Sequence, residues 1–341
     1  MWGGRFGALG SCRADRSIET GPMPVLDAHH DLAHPVEGDS AWSESYYFNC
    51  YDPDVDCGFY TRIGVRPNEG TLDVGMSVWV PGGRVAHLGH RREQHDMIER
   101  RLEVGPVTYE LIEPMRRWRL SCDGESHKGL HIVMDVTFEA LTPAMGGDGQ
   151  NKQAADSSSA ATRLSVGKGH LEQAGRWSGW IEIDGARVEL GERALGNRDK
   201  SWGPRRWGGP RMWRWFSINI DPGTHFGGIV IGTDDGDLHR GWVWRDGEHT
   251  SIAEWRVASE LEDDGVTHRR SFVTAVDKLG REHELVADVI RVEPGARGVR
   301  PSTTIVNEGL ARWTYEGRTG TGISEYLHQL DADSRPVVPI S

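Results

Sequence analysis

The chain is short of cysteine, of basic charge and of long apolar runs, and each shortage closes off a class of function. Its 341 residues hold four cysteines, Cys12, Cys50, Cys57 and Cys122. None stands in a CxxC or Cys/His zinc spacing. Cys50 and Cys57 are near enough in sequence to face each other across a hairpin, which leaves a disulfide open. Residues 1–24 lack the apolar core of a secretory signal, so reduced thiols and a cytoplasmic location are expected. No run approaches the ~18 apolar residues of a spanning helix. Against 39 Lys and Arg stand 51 Asp and Glu, a formal net charge of −12. Nucleic acid and anionic membrane surfaces want the opposite sign. A phosphate-cradling loop is missing too: Gly3-Gly-Arg-Phe-Gly7 has no strand before it and no helix after it.

What the chain has is glycine, 44 residues, and tryptophan, 14. Many glycines suit an all-β chain with many turns. So many indoles exceed ordinary core filling, and some are expected to line a pocket. Period-two apolar positions mark strands at Tyr46–Tyr51, Gly58–Val65, Thr71–Val80, Val107–Ile112, Trp118–Cys122 and Leu130–Phe138. Asp184-Gly185 and Asp246-Gly247 are hairpin turns by composition. Residues 86–102 have a thin apolar face and read as a loop with at most a helical turn. No segment makes a long amphipathic helix. The expected architecture is all-β: two consecutive antiparallel barrels or sandwiches. The expected organisation is a flexible tail at 1–24, an N-terminal domain at 25–144, a polar linker or insertion at 145–165, and a C-terminal domain at 166–341.

The densest chemistry lies in Arg198-Asp-Lys-Ser-Trp-Gly-Pro-Arg-Arg-Trp207. Gly203-Pro204 suggests a turn at the mouth of a β-structure. Asp199 reads either as a working acid or as an ion-paired corner that fixes the turn. Neighbouring indoles would favour its neutral form and neighbouring guanidiniums its carboxylate. Side-chain directions decide between them.

Arg198-Asp-x-Ser-Trp-Gly-x-Arg205 resembles the signature of the hydroxyneurosporene synthase (carotenoid 1,2-hydratase)-like, or AttH-like, superfamily. Ser43–Asp52 with Gly58–Gly64, His170-Leu-Glu-Gln173 before Gly179–Gly185, and Gly317–Tyr326 resemble other pieces of its pattern. The resemblance implies two lipocalin-like domains. It supports fold far better than substrate, because its members act on quite different, mostly apolar molecules.

His170 and Glu172 stand two apart, so on a strand they share a face. A histidine with a nearby carboxylate is a plausible proton-transfer pair; an exposed strand surface is the plain alternative. With Asp199 they offer metal donors, but their spacing does not demand an ion. Tyr47, Trp202, Arg205, Trp207, Trp215, Tyr315 and Glu325 are the candidate pocket residues. His29, His30 and His34, and His87, His90 and His95, sit in irregular polar sequence and read as solvated.

These features add up to a cofactor-free acid–base enzyme, a hydratase, dehydratase or cyclase, acting on a hydrophobic isoprenoid or aromatic small molecule. Asp199 is the acid, and His170 with Glu172 assists. The other reading is a non-catalytic two-domain carrier of an apolar ligand. Convergence of Asp199 and His170 on one cavity favours the enzyme; separation on the outer surface favours the carrier.

Overall fold

In the computed structural model, residues 26–148, 167–206, 208–299 and 302–340 are described. They form twenty strands and two short 3-10 turns. The first sheet contains β1 (Trp42–Asp52), β2 (Cys57–Arg66), β3 (Thr71–Val80), β4 (Arg84–Glu93), β5 (Arg101–Val104) and β6 (Val107–Glu113). It continues with β7 (Arg117–Glu125), β8 (His131–Ala140), β9 (Met145–Gly147), β10 (Gly169–Ile183), β11 (Ala186–Glu189) and β12 (Leu195–Pro204). Its main path runs β4-β3-β2-β1-β12-β10-β8-β7-β6-β5.

The second sheet is a closed eight-stranded barrel. Its strands are β13 (Met212–Asp221), β14 (Thr224–Thr233), β15 (Gly236–Arg245), β16 (Glu248–Leu261), β17 (His268–Asp277), β18 (Glu282–Val299), β19 (Ser302–Tyr315) and β20 (Arg318–Leu330). Closure removes exposed sheet edges. The all-β expectation of two consecutive antiparallel barrels or sandwiches is met. Asp184-Gly185 and Asp246-Gly247 take positive φ at both residues, as tight hairpin turns require.

Each sheet encloses its own aromatic core. Phe48, Phe59, Tyr109, Trp118, Phe138 and Trp177 fill the first. Phe216, Phe226, Trp255, Trp313 and Tyr326 fill the second. Strands β6 to β8 bury alternate residues, one face to the core and one to solvent. In contrast, β1 is buried along its whole length, and β12, β13 and β20 nearly so. Their outer faces meet each other. Tyr47, Tyr51 and Trp79 of the first sheet pack with Trp213, Trp215, Ile231 and Leu327 of the barrel.

Three expectations need correction. Residues 169–204 pair with β8 and β1, so they belong to the first sheet, and the sheets change over between Pro204 and Met212. The polar run at 145–165 therefore falls inside the first sheet's sequence, opening with β9 and preceding β10; its residues 149–165, like the 1–24 tail, lie outside the described set. Residues 86–102 are largely strand, not loop: in β4, Ala86 and Leu88 are buried in the core while the charged residues are exposed. Finally, 198–204 is not a turn but the middle of the sheet, paired on both sides by β1 and β10. The charged run survives there because its inward cations are neutralised. Arg198 grips Asp31 through two hydrogen bonds, 2.5 and 3.0 Å, and Lys200 meets Glu44 at 2.7 Å.

Cys50, Cys57 and Cys122 are free and buried. No helix among the described residues is long and apolar enough to cross a membrane.

Candidate active site between the two sheets

Strand alternation splits the 198–204 run into two faces. Arg198, Lys200 and Trp202 point into the first sheet; Asp199 and Ser201 point out toward the barrel and line a cavity of about 720 Å³. The cavity lies between the sheets rather than inside either one. Tyr47, Tyr60, Arg62 and His87 line it from the first sheet; Trp213, Trp215, Ile229, Ile231, Arg240, Glu308 and Glu325 line it from the barrel.

Register builds the catalytic candidates. In the β10–β12 pair, Glu172 faces Asp199 and His170 faces Ser201. His170 reaches diagonally, and its Nε2 is hydrogen-bonded to Asp199 Oδ2. The same nitrogen lies 3.7 Å from Glu172 Oε1. Burial pulls the His170 imidazole down, but the Asp199 charge, its hydrogen bond and Glu172 outweigh burial and leave it raised. Glu172 is raised in turn, first by burial and then by Asp199, against the pull of His170.

Glu172 is held by the barrel. Its Oε1 accepts from Trp215 Nε1 at 2.5 Å and its Oε2 from Trp242 Nε1 at 2.8 Å. A carboxylate from one sheet is thus clamped by two indoles from the other. Gly227 makes room for the clamp: a Cβ there would lie 2.6 Å from Glu172 Oε2 and from the Trp242 ring. His170, Glu172 and Asp199 place their donor atoms within 4.8 Å of one another, a set able to approach a metal ion. Both Glu172 oxygens are nevertheless engaged by indoles, and His170 Nε2 by Asp199.

The candidate pocket residues divide. Tyr47, Arg205, Trp215 and Glu325 line the cavity. Tyr47 packs edge-on to Trp215, with ring centroids 5.4 Å apart. Arg205 donates to Ser201 Oγ at 3.2 Å and sits over the Trp213 ring. Trp202 lies on the other face, stacked on His34 at 3.9 Å among Leu26, Trp42 and Leu171, so it is core and not cavity wall. Tyr315 is buried in the barrel against Phe226 and His283, away from the cavity. Trp207 lies outside the described residues.

Three histidines expected in solvent are not there. His30 is buried, His34 bonds the buried Glu44 and stacks on Trp202, and His87 lines the cavity 3.4 Å from Glu293. Sequence reasoning also passed over Trp213, Trp242 and Glu308. Trp213 had a usable signal, since it shares a strand face with Trp215. Glu308 had none, because only the β19–β20 register sets it opposite Glu325.

A family model described as a domain of unknown function, DUF7064, matches residues 27–330. The chain belongs to this family. No curated protein matches it in sequence. Among solved structures it is similar to a Nitrosomonas europaea protein provisionally named AttH, at a TM-score of 0.63 and 14% identity, covering 90% of this chain and 98% of that one. It is also similar to CghA, at TM-score 0.58 and 12% identity, over 86% and 89% of the two chains. Kievitone hydratase from Nectria haematococca follows at TM-score 0.57 and 10% identity, over 91% and 95%. At these identities the likeness is one of fold. The two-domain, AttH-like fold expected from the Arg-Asp-x-Ser-Trp-Gly element is the fold observed.

Proposed function

We propose that the cavity between the sheets is an active site for acid–base chemistry on a small molecule, of the hydratase, dehydratase or cyclase type. One observation carries this reading: Asp199 and His170 are hydrogen-bonded to each other and both line the same cavity. Convergence of an imidazole and a carboxylate on one cavity is the geometry that favours the enzyme over the carrier. Among proteins of this fold, one is named as a hydratase, which agrees with proton delivery to an alkene or removal of a hydroxyl.

The residues divide the labour. Asp199 and His170 carry the mobile proton between Oδ2 and Nε2, and give it to a substrate atom or take it back from water. Glu172, fixed by Trp215 and Trp242, adds negative charge beside the imidazolium and holds the pair in place. Trp213, Trp215 and Tyr47 present aromatic walls, and such faces stabilise a developing cation.

The walls refine the substrate class. Beside the aromatic and aliphatic side chains, Arg62, Arg205, Arg240 and Glu308 reach the cavity. That mixture fits an amphiphilic ligand, an apolar or aromatic body bearing oxygen functions, better than a pure hydrocarbon. The test is to extract the molecule that co-purifies with the protein and incubate it with fresh enzyme in heavy-oxygen water and in deuterium oxide. Incorporation of solvent oxygen or hydrogen, read by mass spectrometry, is the expected result. A bound ligand that exchanges neither supports the carrier.

A further inference from the structure

The wall of the cavity contributed by the barrel carries two carboxyl groups that take no part in the His170–Asp199 proton transfer. Glu308 of β19 and Glu325 of β20 are direct partners in the antiparallel ladder, and both side chains line the cavity. As cross-strand partners that both face the cavity, they bring their carboxyl groups side by side on its wall. Trp213 Nε1 donates to Glu325 Oε1 at 2.7 Å.

Two carboxylates so placed repel each other, which favours a proton on one of them, and its O–H can then donate to the other. Burial is the largest influence on Glu325 and favours the neutral form; Glu308, the Trp213 N–H and Arg205 oppose it, Asp199 favours it, and the net effect raises Glu325. Other groups face the pair. Tyr47 of β1 and Tyr60 of β2 are held as neutral phenols by burial, with the charge of Glu308 next in importance for both. Glu293 of β18 also lines the cavity. Two adjacent carboxyls sharing one proton behave as a unit, with one strongly raised step.

We propose that Glu308 and Glu325 form a one-proton carboxyl pair, the acid of the cavity, set on the wall opposite the His170–Asp199 pair. The inference rests on the acid–base reading of the cavity and deepens it. One wall then holds a charged proton-transfer pair, and the other holds a neutral acid ready to donate to a carbonyl, hydroxyl or alkene carbon. Two carboxyl sets kept in different protonation states in one site are how acid and base roles are separated at neutral pH. The ligand class that follows has a basic oxygen or an alkene lying between β12 and the β19–β20 ladder.

Infrared difference spectroscopy on the ligand-free full-length chain at pH 7 tests the pair directly. The wild-type spectrum minus that of E308Q, or minus that of E325Q, is expected to show the C=O stretch of a protonated carboxyl, lost in both variants alike. In each variant the glutamine amide donates to the remaining carboxylate, so the shared proton is no longer needed. The band is expected to persist in D199N. Loss in E325Q but not in E308Q would show a single buried acid and overturn sharing; an unchanged band in both would overturn the proposal entirely. Should either variant fail to fold, titration of E172Q decides, because Glu172 is the other raised carboxyl beside the cavity. A band that disappears below pH 7 contradicts the pair, and one that persists above it supports the pair. None of these outcomes depends on turnover, so failure of the activity reading is seen separately, in the isotope experiment.

Discussion

Glu172 lies directly opposite Asp199 across the β10–β12 pair, and both indoles that hold Glu172, Trp215 and Trp242, come from the other sheet. One carboxylate therefore ties the candidate proton-transfer pair to the barrel.

Replacement of Glu172 by glutamine is expected to weaken the junction. Glutamine has one acceptor oxygen, and its amide N–H groups would point at an indole N–H. A buried donor left without an acceptor costs about 1–3 kcal/mol. Urea unfolding followed by tryptophan fluorescence measures it. A midpoint equal to the wild type would show that the clamp contributes nothing to stability.

Trp202 separates structural from functional tryptophans. It is 3% exposed and stacks on His34 away from the cavity. Trp202→Ala is expected to cost about 3–5 kcal/mol of stability and to leave ligand affinity in the folded fraction unchanged. Trp215→Ala is expected to weaken ligand binding. Calorimetric titration with the co-purified ligand checks both; a specific affinity loss in Trp202→Ala would place Trp202 at the ligand.

Arg198 and Asp31 form a buried pair, 2% and 0% exposed. Arg198→Met leaves the Asp31 carboxylate buried without its main partner, and breaking such a pair costs about 3–5 kcal/mol. The double variant with Asp31→Asn is expected to recover part of that loss. Chemical denaturation of the three proteins is the measurement, and additive losses would contradict the pairing.

Inside the barrel, burial together with the Arg214 charge depresses His268 to about 4 and His328 to about 3. Unfolded histidine titrates near 6.5. The unfolded chain therefore binds protons that the folded barrel refuses. The stability is present above about pH 6.5 and is lost as pH falls toward about 4. Each histidine that stays neutral in the fold and charges in the unfolded chain removes about 1.4 kcal/mol for every pH unit crossed in that window. The melting temperature is expected to fall across it. His268→Gln and His328→Gln should each flatten the slope; an unchanged slope would assign the loss to other groups.

Much of this fold could be read in the chain, and the reason is local. The period-two segments from Tyr46 to Val80 and the Asp-Gly turns act over a few residues, so strands and hairpins were accessible. What was hidden depends on partners far away in sequence. The 198–204 run looked like a charged turn because Asp31 and Glu44, which neutralise Arg198 and Lys200, lie far upstream. Trp202 looked like pocket wall because its strand face could not be assigned before β12 was known to be a strand. His170, Glu172 and Asp199 were found because strand parity brings the first two together and the Arg-Asp-x-Ser-Trp-Gly element marks the third. Glu308 was not found because a single cross-strand pair defines it. The changeover between the sheets was misplaced because a polar, low-complexity run drew attention to 145–165, while β10 to β12 still had a place in the first sheet.

The central claim is that Asp199 moves a proton in the cavity between the sheets. Asp199→Asn keeps the size of the side chain and its ability to accept from His170, but cannot carry a proton as a carboxyl group does. Product formation from the co-purified ligand, ligand affinity and thermal melting, all measured on the same preparation, form the direct test. The account predicts a loss of about 10²–10⁴-fold in turnover with affinity and melting temperature close to the wild type. Full turnover in Asp199→Asn, or a loss that merely tracks unfolding, would contradict it.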